Sequence, residues 1–181
     1  SGFGMFYNPV ARRAGIPVRC GHSHNTAYEP NLVGRLDRLM SSFFSAGLTD
    51  RFACSEKAGQ MLYGSKPFTV VPNGIDMTRY ACDEAAHEQA KAELGLSGRP
   101  VVCHTGRLIP VKNHEFLMQV FVQVRQELPD AVLLCAGRGE LEDSLKARAR
   151  ELGLGDAVRF LGVVDDVPRL LRAADAFVFP S

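Results

Sequence analysis

VVCHTGRLIPVKNHEFLMQVFVQVRQELPDAVLLCAG, residues 101–137, holds two short apolar runs separated by a helical period. The runs, at 100–105 and 131–136, are rich in β-branched and aliphatic residues without polar alternation, the pattern of strands buried on both faces. Between them Phe116, Leu117, Val120, Phe121, Val124 and Leu128 recur at helical spacing. The stretch therefore reads strand, helix, strand, and such a unit pairs its strands in parallel with the helix packed on the sheet.

The alternation continues outward. Downstream, 157–161 and 176–179 read as strands; Leu141, Leu145, Ala149 and Leu152 mark a helix, and Asp166 with Pro168 opens another with a cap and a first-turn proline. Upstream come a helix ending at Arg13-Ala14-Gly15, a strand at 18–21, a helix over 32–44, and strands near 52–54 and 68–71. Between the halves lie the turn signal PNGID at 72–76 and a polar, alanine-rich helix over 83–94. These features set two α/β domains, 1–97 and 98–181. Each half offers about three or four strands where a doubly wound sheet has about five or six, so both domains are expected to be incomplete and the chain an excerpt of a longer protein.

Composition narrows the function. Of 181 residues, 46% are hydrophobic and 23% charged, which excludes disorder and fibrous repeats. Twenty-one basic against 20 acidic residues leave +1, and no basic block exceeds Arg12-Arg13, so no nucleic acid is expected as a partner. No apolar run approaches the ~20 residues that span a bilayer, and the first residues lack the pattern of a signal peptide, so the chain reads as soluble and cytoplasmic. The five cysteines are odd in number, lack a C-x-x-C pair and mostly sit in apolar runs, the pattern of buried thiols rather than of a disulfide frame or zinc site.

Four loops follow strands, at the sheet edge where open α/β folds bind ligands. The first carries Gly106, Arg107, Lys112, Asn113 and His114; two cations beside a helix N-terminus suit a diphosphate, though spacing alone equally allows two solvated cations. The second carries Gly137, Gly139 and Glu140. It lacks the third glycine of the dinucleotide motif, and no lysine follows a glycine anywhere, which removes NAD and the P-loop; a plain strand-to-helix turn remains an equal reading. In the third, Leu161 and Gly162 offer backbone to a base or sugar, and Asp165 and Asp166 read as helix caps. The fourth carries His22 and His24, read as alternating about Ser23 so that only one faces a given side.

SEKAG at 55–59, VVPNGID at 70–76, TGRLIPVKNHEFL at 105–117, LLCAGRGEL at 133–141, VRFLGVVDDVPRLL at 158–171 and AADAFVFPS at 173–181 resemble, in this order, the family 4 glycosyltransferases. AGIPVR with HSHN is similar to bacterial members that build capsular or exopolysaccharide chains. The resemblance covers essentially the whole chain. It implies the GT-B fold, two Rossmann-like domains, with 1–97 the end of the acceptor-side domain plus linker and 98–181 the start of the donor domain. It implies transfer of a sugar, with retention, from a nucleotide diphosphate donor to a saccharide or lipid-linked saccharide acceptor. No metal or other cofactor is implied, and the complete protein is expected in the cytoplasm, with peripheral association at the inner face of the membrane. By position, Arg107 and Lys112 would hold the diphosphate with Gly106 beside it, Gly137 and Gly139 would shape the donor pocket, and Leu161 with Gly162 would lie near the base. A histidine near the reacting sugar falls to His24 ahead of His22. The family's acidic motif, two glutamates eight residues apart, would follow FVFPS, so the chain is expected to be inactive alone.

Two rivals stand beside this reading. An H-x-H pair at a strand end also serves metal-dependent hydrolases, but only His87, His104 and His114 remain as further histidine ligands. A sugar-nucleotide-binding module without catalysis would use the same cations for binding alone.

Overall fold

The computed structural model describes residues 7–28 and 30–180. The chain divides into two compact units, Ser1–Ile75 and Asp76–Ser181.

The first unit runs α1 (Asn8–Arg13), β1 (Cys20–Ser23), α2 (Leu32–Phe44), β2 (Asp50–Ala53), α3 (Glu56–Tyr63) and β3 (Thr69–Val70). The strands form a parallel sheet in the order β1-β2-β3, with Cys20 opposite Asp50 and Ala53 opposite Val70. Asn31 and Ser55 cap α2 and α3, accepting from the Gly34 and Ala58 amides. The sequence reading passed over α3, whose eight residues are too few for a clear helical period; Ser55 before Glu56 is the signal that would have found it. The buried Ser23 hydroxyl donates to the Ala58 carbonyl at 2.7 Å and ties the end of β1 to that helix. In α2 Gly34 and Ser41 are buried while Leu32, Leu36, Leu39 and Phe43 are exposed, the reverse of the usual amphipathic arrangement.

The second unit runs α4 (Glu84–Glu93), β4 (Val101–Thr105), α5 (His114–Glu127), β5 (Val132–Ala136), α6 (Glu142–Glu151), β6 (Val158–Gly162), α7 (Val167–Arg172) and β7 (Ala176–Phe177). Its sheet is parallel in the order β6-β5-β4-β7. Period-two alternation sends Leu133 and Cys135 of β5 into one core with Leu117, Met118 and Phe121 of α5 and Leu145 and Ala149 of α6. Val132, Leu134 and Ala136 enter the opposite core with Val101, Cys103 and Leu170. Both faces are covered, which is why neither strand shows polar alternation.

The division between units falls inside PNGID, upstream of the boundary near residue 97 drawn from sequence. Helix α4 is not a linker but part of the second unit. The buried Lys91 ammonium meets the Asp175 carboxylate at 2.9 Å, the Val101 amide donates to Asp175 at 2.6 Å, and His87 Nε2 lies 3.3 Å from it. Arg169 pairs with Glu93 at 2.6 Å, joining α7 to the same helix. A helix that reads as polar is thus held by ion pairs that sequence spacing does not reveal.

The cysteine expectation holds only in the sheet. Cys103 and Cys135 are buried, and burial pushes their thiols up to about 11 and about 12. Cys20 and Cys82 are exposed and Cys54 is half-buried, because β1 turns Cys20 outward and Cys82 precedes α4; all five are free.

Burial alone would raise the Asp175 carboxyl; the Lys91, Val101 and His87 contacts outweigh it and leave it below the ordinary carboxylate range. Its stabilising contribution is therefore present above that range and lost as pH falls through the lowered value. Asp175→Asn keeps an acceptor for Val101 but strands the Lys91 charge. It is expected to lower unfolding free energy by about 2–3 kcal/mol at pH 7, below the range for a fully buried pair because Asp175 is 42% exposed. Urea denaturation of variant and parent checks this, and an unchanged midpoint would release α4 from the unit.

Candidate functional site at the loops after β4, β5 and β6

The loops leaving β4 and β5 are joined main chain to main chain. The Gly106 amide donates to Ala136 at 2.9 Å, Leu108 to Arg138 at 3.1 Å and Leu141 back to Leu108 at 3.1 Å. A Cβ on Gly137 would stand 1.9 Å from the Gly106 carbonyl oxygen, and one on Gly139 2.2 Å from that of Leu108. Gly137 also holds φ at 142°, a conformation L side chains rarely adopt. The glycines expected to line a donor pocket thus serve first to let the two backbones touch. The Gly137 amide donates to Gly162 at 2.7 Å and brings in the loop after β6.

This framework presents the cations. Leu108 is fully buried, whereas the adjacent Arg107 is exposed and its guanidinium makes no hydrogen bond or ion pair among the described residues. Lys112 ends a 3-10 turn, Pro110–Lys112, and its ammonium lies 4.4 Å above the Phe179 ring. Asn113 follows in the left-handed region at φ 50° and makes no side-chain cap hydrogen bond to the first turn of α5. Two cations and a helix N-terminus on one loop can neutralise a diphosphate.

Beneath the loop sit two histidines; sequence reasoning placed His114 on the loop without a role and counted both as spare metal ligands. His104 and His114 are buried at 0% and 2%, with ring centroids 4.7 Å apart, edge to face. Burial, then His104 and Lys112, hold His114 down to about 4. The sequence signal was available: His104 lies within an apolar strand and His114 at a helix start.

Leu161 and Gly162 end β6, and Leu161 borders a cavity of about 380 Å³ lined also by Leu94, Val164 and Leu170. Asp166 caps α7 through the Arg169 amide at 3.2 Å, as expected; Asp165 is exposed. Arg138, which sequence reasoning passed over, is an exposed third cation beside Gly162.

In the first unit, His22 and His24 do not face opposite ways. Residues two apart share a face of a strand, and their rings lie 4.2 Å apart. The expectation that only one could face a site misapplied the period. His22 also lines a cavity of about 370 Å³ between α1 and β1. No group of three or more histidine, cysteine or acidic residues among the described residues could hold a metal, so the hydrolase rival gains no ligand set. No helix among them is long and apolar enough to cross a membrane.

Comparison with known proteins agrees with this architecture. The family described as Glycosyl transferases group 1 matches residues 86–181. The Bacillus subtilis protein EpsF, named as a glycosyltransferase, is 35% identical over 95% of this chain and 47% of its own length. A Mycolicibacterium smegmatis GDP-mannose-dependent phosphatidylinositol monomannoside mannosyltransferase is 29% identical, with 95% and 46% covered. An Escherichia coli UDP-Gal:GlcNAc-diphosphoundecaprenol galactosyltransferase is 27% identical, with 98% and 49% covered. The chain spans about half the length of these relatives. The crystal structure of Anabaena HepE with UDP-glucose shares the fold at a TM-score of 0.82 and 22% identity, over 100% of this chain and 51% of that one.

The main-chain contact between loops sets an expectation for Gly139→Ala in the full-length protein. Leu108 backbone cannot yield as a side-chain end would, so the variant should lose about 2 kcal/mol of unfolding free energy, within the range for overpacking. Chemical denaturation measures it, and wild-type stability would show that the loops do not touch.

Proposed function

The chain belongs to the glycosyl transferases group 1 family, and from that membership we propose that it serves the transfer of a sugar from a nucleoside diphosphate donor to a saccharide or lipid-linked saccharide acceptor, with retention at the anomeric carbon. The observation that carries this reading is the exposed Arg107, without a side-chain partner among the described residues, beside Lys112 and the side-chain-uncapped start of α5, on a loop anchored at either side. Two relatives support the lipid-linked acceptor: the names of the mycobacterial and Escherichia coli enzymes specify a phosphatidylinositol mannoside and a diphosphoundecaprenol-linked sugar. Such acceptors would bring a cytoplasmic protein to the inner face of the membrane. One name specifies GDP-mannose and the other UDP-galactose, so the donor base stays open.

In this reading the bond from the anomeric carbon to the diphosphate breaks, and the acceptor oxygen bonds to that carbon from the same face. The acceptor proton passes to the departing diphosphate oxygen. Negative charge grows on the diphosphate as the bond breaks, and preorganised Arg107 and Lys112 stabilise it more than they stabilise the ground state. The chain's own cations fill this role, so the reading calls for no metal or other cofactor. Gly106 lets the main chain pass close to the phosphates, Gly137 and Gly139 act through the loop contact, and Leu161 with Gly162 borders the base. His24 orients a hydroxyl of the reacting sugar, with His22 in ring contact behind it.

In the full-length enzyme Arg107→Ala and Lys112→Ala should each lower turnover roughly 10²–10³-fold, with a smaller loss of donor affinity. Assays with UDP- and GDP-sugars and polyprenyl-linked acceptors measure it; wild-type rates in both variants would return these cations to the solvated surface. His24→Ala should depress turnover while calorimetry still detects UDP or GDP, since the diphosphate contacts lie on the other unit. Loss of nucleotide binding would contradict that division of labour.

A further inference from the structure

The polar groups under the 106–112 loop are placed at a cost to the fold. His104 Nε2 and both ring nitrogens of His114 are buried without a hydrogen-bond partner among the described residues. Two apolar rings would fill the same space without that desolvation penalty. Broken local rules of this kind concentrate at functional sites.

The surroundings show what the pair touches. His104 Nδ1 faces the Val178 carbonyl at 2.8 Å, so it carries the proton and donates, which leaves Nε2 as the acceptor in the neutral ring. That nitrogen lies under Gly106, 3.2 Å from where a Cβ would stand, and the Lys112 Cδ lies 3.6 Å from the same point. The His104 ring stacks on Phe177 and approaches Phe179, over which the Lys112 ammonium sits. His114 meets His104 edge-on and begins α5 directly after Asn113. One pair therefore contacts the end of β4, the start of α5 and the segment after β7.

We propose that His104 and His114 are positioning residues, a buried imidazole platform that fixes where Lys112 and the Gly106 main chain meet the donor diphosphate. The proposal rests on the reading that this loop is the diphosphate site. Neither ring is accessible to the donor, so each acts through the loop above it. The charged and titratable groups acting on His114 are His104, from β4, and Lys112, from the preceding turn. A proton gained by His114 would set a second positive charge beside Lys112 and loosen the platform, so it works while His114 is neutral.

The test uses the full-length protein, with UDP and UMP as probes, or GDP and GMP if guanine is preferred. His104→Phe and His114→Phe keep an aromatic ring, slightly larger than imidazole, and His104→Gln keeps an N–H for Val178. His114→Phe is expected to melt at or above the wild-type temperature and His104→Phe, which strips the Val178 carbonyl of its donor, somewhat below it, and both to bind the diphosphate roughly 10-fold more weakly, with monophosphate affinity changed less than about twofold. His104→Gln should recover part of the loss. As pH falls from 5 towards 3.5, through the lowered value of about 4 at which His114 gains its proton, wild-type diphosphate affinity should fall more steeply than that of His114→Phe, the nucleotide's own titration being common to both. Folded Phe variants with the wild-type diphosphate-to-monophosphate ratio and pH profile overturn the proposal. If they do not fold, an unchanged ratio in His104→Gln and His114→Gln overturns it instead. Wild-type protein that binds neither UDP nor GDP would sink the transfer reading itself, whereas loss of binding in Arg107→Ala with unaltered histidine variants would sink the platform alone.

Discussion

Contact between two bare backbones governs the loops after β4 and β5. Where β4 and β5 end, Gly137 and Gly139 remove the side chains that would hold their loop off residues 106–108, and amide-carbonyl bonds close the gap. Gly106 and Leu108 are both tied down, so the residue between them has little freedom left, and its side chain faces outward. In the proposed diphosphate site, ordering Arg107 would then cost less than ordering a residue in a loose loop. The same junction takes in Gly162, which places three strand ends in one framework.

Much of this was legible in the chain. The strands β4 and β5 are unbroken apolar runs, and α5 keeps its period over 14 residues, because burial on both faces of a sheet and on one face of a helix leaves a periodic mark. The ordered motifs carried the family resemblance. What stayed hidden depends on three-dimensional neighbours. Glycine signals a close approach without saying to what, and Gly137 and Gly139 approach protein rather than open pocket. The place of α4 depends on Lys91 meeting Asp175, far apart in sequence. The histidines at 22 and 24 were misread by an error in strand periodicity rather than for want of signal. The burial of His104 could be read from its place inside an apolar strand, but nothing in spacing shows that His114 packs against it beneath the loop.

Attaching α4 to the second unit alters how the junction should be pictured. The ion pairs around Asp175 bind the helix to β4 and α7, so the main chain passes between units inside PNGID, where Asp76 caps the short turn Met77–Tyr80. The family match beginning at residue 86, within α4, fits this assignment.

The thiols separate into two chemical populations, and their placement makes a labelling scheme possible without added cysteines. Cys103 and Cys135 are sealed in the sheet, whereas exposed Cys20 belongs to one unit and exposed Cys82 to the other. A maleimide dye offered to the folded protein meets one open thiol on each side of PNGID, with half-buried Cys54 removable by a serine replacement. Energy transfer between dyes at Cys20 and Cys82 would then serve as a ruler across the junction, reporting in real time whether the units change separation when a nucleotide sugar is added.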